Sequence, residues 1–128
     1  MTPFLVDTDI LVDASRGVAE AIVFLKQSEA QGTLSISVIT RMELLAGCRD
    51  KREQREVEQF LKRFTVVPLN EVSSQLAVEV LTRYRLSHGL QIPDALIAAT
   101  AMASGHSLAT KNQKHFRPIS DLKLLTYP

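Results

Sequence analysis

Apolar residues in this chain fall in short runs and in helical stripes, and the two patterns alternate from end to end. Phe4-Leu5-Val6 is a brief apolar run between Pro3 and Asp7, which reads as a buried strand. Ile10, Leu11 and Ala14 follow at helical spacing, with Thr8 or Asp9 as the cap and Gly17 as the stop. Val18, Ile22 and Leu25 mark a second helix over 18–30, closed by Gly32. Leu34 to Ile39 alternates apolar residues with serine, the pattern of a second strand. A short helix over 40–46 ends at Gly47, and a charged helix over 51–64 sets Val57, Phe60, Leu61 and Phe64 on one face. Thr65-Val66-Val67 is a third strand. Asn70 caps a long helix with Val72, Leu76, Val80 and Tyr84 in register, ending at Gly89. Pro93 to Ser104 is a helix without charge after Asp94. Gly105 ends it, Ser107-Leu108-Ala109 is a fourth strand, and Lys123 to Thr126 is a candidate fifth.

All five glycines follow a predicted helix, where a left-handed C-terminal cap is expected. Strands separated by helices need crossover connections, so the expected fold is α/β, with a mostly parallel sheet covered on both faces. No repeat, low-complexity tract or linker interrupts the 128 residues, which are expected to form a single domain over 1–128. With 45% apolar and 23% charged residues, the chain has the makings of a soluble core-forming protein. A net charge of +1 argues against a globally basic nucleic-acid scaffold and leaves local patches open. Cys48 is the one cysteine, so no intramolecular disulfide is possible and a reducing compartment is expected. Asp7 and Asp9 break the first apolar run too early for a leader, and no apolar stretch is long enough to span a bilayer. The expected location is the cytoplasm, with no membrane partner.

Ligands of such sheets bind outside the carboxyl ends of the strands, so the residues after each strand carry the interest. Asp7 and Asp9 follow the first strand, Glu43 the second, and Thr110, Lys111 and Asn112 the fourth; Asp94 opens the apolar helix. Each acid has a plainer use. Asp7 and Asp9 suit the first turn of a helix, although one acid is enough for that. Asp13, a turn further on, is expected to be solvated. Thr40 and Glu43 have capping-box spacing, and Asp94 also fits a helix start. If instead these acids converge without a cation, a divalent metal is the usual remedy, and oxygen-only donors suit Mg²⁺ or Mn²⁺. Cys48, His88, His106 and His115 show no zinc spacing. A carboxylate-held metal is common apparatus for phosphodiester chemistry. Lys111, Lys114, His115 and Arg117 follow the fourth strand and could hold a phosphate backbone, or could simply form a polar loop.

Four segments, in this order and spacing, resemble the PIN-domain ribonucleases, specifically the VapC-type toxins of bacterial toxin–antitoxin pairs. They are Leu5-Val6-Asp7-Thr8-Asp9-Ile10-Leu11, the run from Ser37 to Gly47 with Thr40-Arg41-Met42-Glu43 at its centre, Ile92-Pro93-Asp94-Ala95-Leu96-Ile97-Ala98-Ala99, and Leu108-Ala109-Thr110-Lys111-Asn112-Gln113-Lys114-His115-Phe116. The resemblance implies a three-layer α/β/α sandwich and a Mg²⁺-dependent endoribonuclease, with Mn²⁺ as a substitute metal. It implies Asp7, Glu43 and Asp94 as metal-binding catalytic acids, with Asp9 and Thr110 supporting and Lys111 or Lys114 on the RNA. The family often has a further acid near the end of the fourth strand; here Asn112 and His115 stand in that region, which leaves a second metal open and makes Asn112 the candidate fourth catalytic residue. The resemblance also implies an RNA substrate, a homodimer, and a cognate antitoxin covering the site, with operator DNA contacted only through that antitoxin.

Three other classes compete. An Asp-nucleophile phosphatase would use Asp7 in its Asp-x-Asp pair, but Leu11 and the lack of paired late acids count against it. A phospho-receiver module needs an acceptor Asp after the third strand, where Pro68-Leu69-Asn70 stands. A catalytically impaired PIN-fold binding module is compatible with the absent late acid.

Overall fold

A computed structural model describes residues 3–128. Its strands are β1 (Phe4–Val6), β2 (Leu34–Ser37), β3 (Phe64–Val67), β4 (Ser107–Ala109) and β5 (Leu124–Leu125). All pair in parallel, in the order β3-β2-β1-β4-β5. The helices are α1 (Thr8–Ser15), α2 (Ala19–Gln31), α3 (Val38–Ala46), α4 (Lys51–Leu61), α5 (Glu71–His88), α6 (Ile92–Ala103) and α7 (Gln113–Phe116).

Two cores follow from the period-two alternation of the central strands. Leu5 and Leu108 point into one, with Val80, Leu90, Ala95, Ala98 and Ala101 from the α5–α6 side. Val6 and Ala109 point into the other, with Ile10, Leu11, Leu25, Leu34, Ile36 and Leu61 from the α1–α2–α4 side. The result is a three-layer α/β/α sandwich. β1 lies between β2 and β4, the point where the strand order reverses and where a crevice opens at the carboxyl ends.

Several boundaries differ from those read off the sequence. β2 stops at Ser37 because the Ser37 hydroxyl accepts the Thr40 N–H at 3.1 Å and starts α3 there, so Val38 and Ile39 are helical. α4 ends at Leu61, and Phe64 already pairs with Leu34 as the first residue of β3. α7 has no forewarning in the apolar pattern. Of the glycines expected to be left-handed, Gly17, Gly89 and Gly105 have positive φ; Gly32 is extended and Gly47 is right-handed. Gly89, at φ 69°, closes α5 by donating its N–H to Arg85 O at 2.8 Å. Asn70 caps α5 as expected, in a reciprocal bond with Ser73.

α6 buries Ala95, Ile97, Ala98, Ala99, Thr100 and Ala101. Its small side chains let it lie close against α5 and the sheet, and the Thr100 hydroxyl is satisfied by Leu96 O at 2.7 Å. Among the described residues no helix is long and apolar enough to cross a membrane. Because Ala98 is fully buried, Ala98→Leu is expected to overpack this layer and cost about 1–3 kcal/mol in urea denaturation.

Candidate active site

Asp7 is the first residue beyond β1 and the N-cap of α1, a position expected for Thr8 or Asp9. The sheet sets its depth, since its own N–H donates to Ala109 O at 2.8 Å and continues the β1–β4 ladder. Its Oδ1 accepts the Thr8 N–H at 2.8 Å and its Oδ2 accepts the Thr110 hydroxyl at 2.7 Å. Only 6% of Asp7 is exposed. Burial, then the neighbouring charge of Asp9, push its carboxyl up to about 7 against the pull of those hydrogen bonds, with Asp94 adding a smaller upward push.

Asp9 has a different duty. Its Oδ2 accepts the backbone N–H groups of Lys111 at 3.1 Å and Asn112 at 3.2 Å, and lies 3.2 Å from Thr110 Oγ1. It clamps the loop after β4 to the loop after β1. Burial raises its carboxyl as well, and the two N–H donors oppose that. Thr110 is wholly buried between the two acids, and its Oγ1 also accepts the Asn112 N–H at 3.0 Å.

Glu43 is released from the capping duty that its spacing suggests, because Ser37 holds the cap of α3. Its Oε1 accepts the Thr8 hydroxyl at 2.7 Å, and Thr8 Oγ1 is 2.9 Å from the buried Thr40 Oγ1. Asp94 lies in the first turn of α6, whose N-cap is Gln91 and makes no side-chain cap bond. Its Oδ2 is 3.0 Å from His115 Nε2.

Asp7, Thr8, Asp9, Glu43, Asp94, Lys111 and Asn112 line one cleft of about 400 Å³, together with Val12, Asp13, Arg16 and Ile97. Asp13 is not solvated as expected: its side chain is 15% exposed and pairs with Lys111 Nζ at 2.9 Å. Lys111 is thereby held at the rim, while Lys114 is exposed and does not line the cleft. Arg16 and Thr8 were missed by the sequence reading. Asp9, Asp13 and Arg16 recur at helical spacing on α1, which could have flagged Arg16. Nothing in the pattern signals that Thr8 reaches Glu43.

The donors are hard oxygens from two strand–helix junctions and the start of α6, the set that suits Mg²⁺ or Mn²⁺. Among the described residues Asp7, Asp9 and Glu43 have no cationic side chain within ion-pair distance. Nor do any three His, Cys, Asp or Glu side chains there stand close enough to enclose an ion as they lie. The fit therefore rests on charge and donor type: Asp7 is a buried acid, raised by its surroundings, at the floor of an acidic cleft.

Comparison with known proteins gives one consistent family. The PIN domain profile matches residues 4–121. "Ribonuclease VapC10" of Mycobacterium tuberculosis is 42% identical over 120 residues, covering 93% of this chain and 90% of that protein. Two solved structures superpose along nearly the whole chain. "Crystal structure of VapBC2 from Rickettsia felis bound to a DNA fragment from their promoter" has a TM-score of 0.82 at 27% identity, covering 98% of both chains. "Toxin-antitoxin complex from Klebsiella pneumoniae" has a TM-score of 0.77 at 30% identity, covering 96% of both.

The raised Asp7 carboxyl makes a pH prediction. A folded-state value above the unfolded one stabilises the fold at low pH, and that stabilisation is lost as pH rises through about 7. In chelator, Asp7→Asn, which carries no charge, is expected to gain stability on the wild type between pH 4 and 7, by on the order of 3 kcal/mol. Paired thermal melts across that range check it; parallel curves would refute it.

Proposed function

The chain belongs to the PIN domain family, and from that premise we propose that it is a Mg²⁺-dependent endoribonuclease, the toxin of a toxin–antitoxin pair. One observation carries the chemistry: Asp7 and Glu43 from two strand–helix junctions and Asp94 from the start of α6, after the α5–α6 connection, line one cleft, and the deepest of them is a buried acid without a cationic side chain beside it among the described residues. These three residues would hold the metal. Bound there, Mg²⁺ would supply charge stabilisation at an RNA phosphate and acidify an attacking water.

The chain's own groups divide the remaining work. Thr110 and the Thr8 N–H fix both oxygens of Asp7, so that it presents a set geometry. The Thr8 hydroxyl holds one oxygen of Glu43, Oε1. Asp9 holds the loop after β4, and with it Asn112, at the mouth of the cleft. Arg16 and Lys111 line the same cleft and would meet RNA phosphates there. The family match and the lack of paired late acids favour this reading over a covalent phosphatase nucleophile at Asp7.

The partners follow the same reading. RNA is the substrate. A cognate antitoxin covers the cleft, a reading supported by neighbours whose titles name toxin–antitoxin complexes. DNA contact belongs to that antitoxin, in keeping with this chain's net charge of +1. A second copy of the chain is the further partner, and the exposed Val72, Val78, Leu86 and Ile92 offer it apolar surface. The cytoplasm is the proposed location.

Expression of the wild type is expected to arrest growth, with rescue by a co-expressed small neighbouring gene. Asp94→Asn is expected to abolish the arrest. In vitro, Asp7→Asn and Asp94→Asn should each slow Mg²⁺-dependent RNA cleavage by more than the ~100-fold that a supporting residue costs. Wild-type cleavage by Asp7→Asn would sink the assignment.

A further inference from the structure

Asp13 at the cleft pairs with the Lys111 ammonium, and among the described residues every other acid there but one is held by a hydroxyl or a backbone N–H. Asp7 has Thr8 and Thr110, Asp9 has the Lys111 and Asn112 amides, and Glu43 has Thr8. Asp94 has His115 alone, with Nε2 standing 3.0 Å from its Oδ2. That nitrogen is buried, and among the described residues it makes no directed hydrogen bond. The approach to Asp94 is thus off the N–H axis. The two atoms stand at hydrogen-bond distance without hydrogen-bond alignment.

His115 does not line the cleft, whereas Asp94 does. Among the described residues the imidazole's one ionic contact with a lining residue is with Asp94, which it approaches from outside the lining. Its station is built in. Asp9 fixes the Lys111–Asn112 backbone, α7 starts directly after it, and Phe116 is 1% exposed in the core, with its ring edge-on to His115 at 5.8 Å. The same α7 turn is closed by His115 N–H to Asn112 O at 3.2 Å.

We propose that His115 is the positioning residue for Asp94, orienting its carboxylate toward a divalent metal from behind. In this chain the imidazole fills the region of the late acid and works through Asp94 as its holder. The inference rests on the reading of Asp7, Glu43 and Asp94 as a metal site. Such supporting partners of ligating carboxylates are worth ~10–100-fold in metal affinity.

Calorimetric titration of the purified protein with Mn²⁺ alone, without RNA, tests it on four variants. His115→Phe keeps the ring and loses the donor; His115→Gln keeps an N–H donor and loses the ring. His115→Phe and His115→Ala are expected to weaken Mn²⁺ binding by ~10-fold or more, while His115→Gln recovers most of it. In RNA cleavage, the Mg²⁺ concentration for half-maximal rate should rise in parallel, with KM for RNA near the wild-type value. Wild-type Mn²⁺ affinity in His115→Phe, or no recovery in His115→Gln, overturns the proposal. Asp94→Asn separates the two levels. If it binds Mn²⁺ as the wild type does, the metal-site reading fails and this inference with it. If it loses binding while His115→Phe does not, only the role of His115 fails.

Discussion

A carboxylate buried at the end of a parallel strand is the constraint on which this structure turns. Asp7 is 6% exposed, and no lysine or arginine pairs with it among the described residues. Burying an ionised acid without compensation is costly. The chain answers with the start of α1, a buried threonine hydroxyl and a carboxyl raised to about 7. The compensation is partial, and that partial state is the ground on which a small dication is proposed for the cleft. A fully neutralised Asp7 would be a quiet helix cap.

The sheet makes this arrangement possible. β1 is flanked by β2 and β4, so three chain segments leave the same edge of the sheet side by side. Thr110, one residue past β4, reaches Asp7 at 2.7 Å across 103 residues of sequence. The parallel register of Val6 with Ala109 sets that meeting. Local geometry then sorts the acids into different duties. Asp7 faces inward, Asp9 braces the loop after β4, and Asp13 ties down Lys111. Acids at 7, 9 and 13 look like one cluster in the sequence, but only the first lies on the cleft floor.

Period-two and helical patterns recover the order of every element but α7, because those elements are amphipathic or buried along their length. The α/β class and the parallel sheet were legible for the same reason. Errors came where a hydroxyl decided the outcome. Ser37 reads as one more polar step of an alternating strand, yet its side chain caps α3 and turns Val38 and Ile39 into helix. That shift removes the capping-box reading of Glu43 and leaves it facing Thr8. α7 is four residues long, too short to show a period, and it brings His115 to Asp94.

What the sequence by itself determined is the list of strand ends and helix starts and the acids standing at them. Strand ends and helix starts are local events, written in apolar period and cap chemistry within a few residues. What only the tertiary structure decided is which of those groups meet. Thr8 with Glu43, Thr110 with Asp7, Lys111 with Asp13 and His115 with Asp94 are separated by 21 to 103 positions in the chain. Such pairings depend on strand order, register and side-chain direction, which local patterns do not encode. The physical reason is that a cleft is made by packing separate layers, and its electrostatics exist only once those layers exclude water from Asp7.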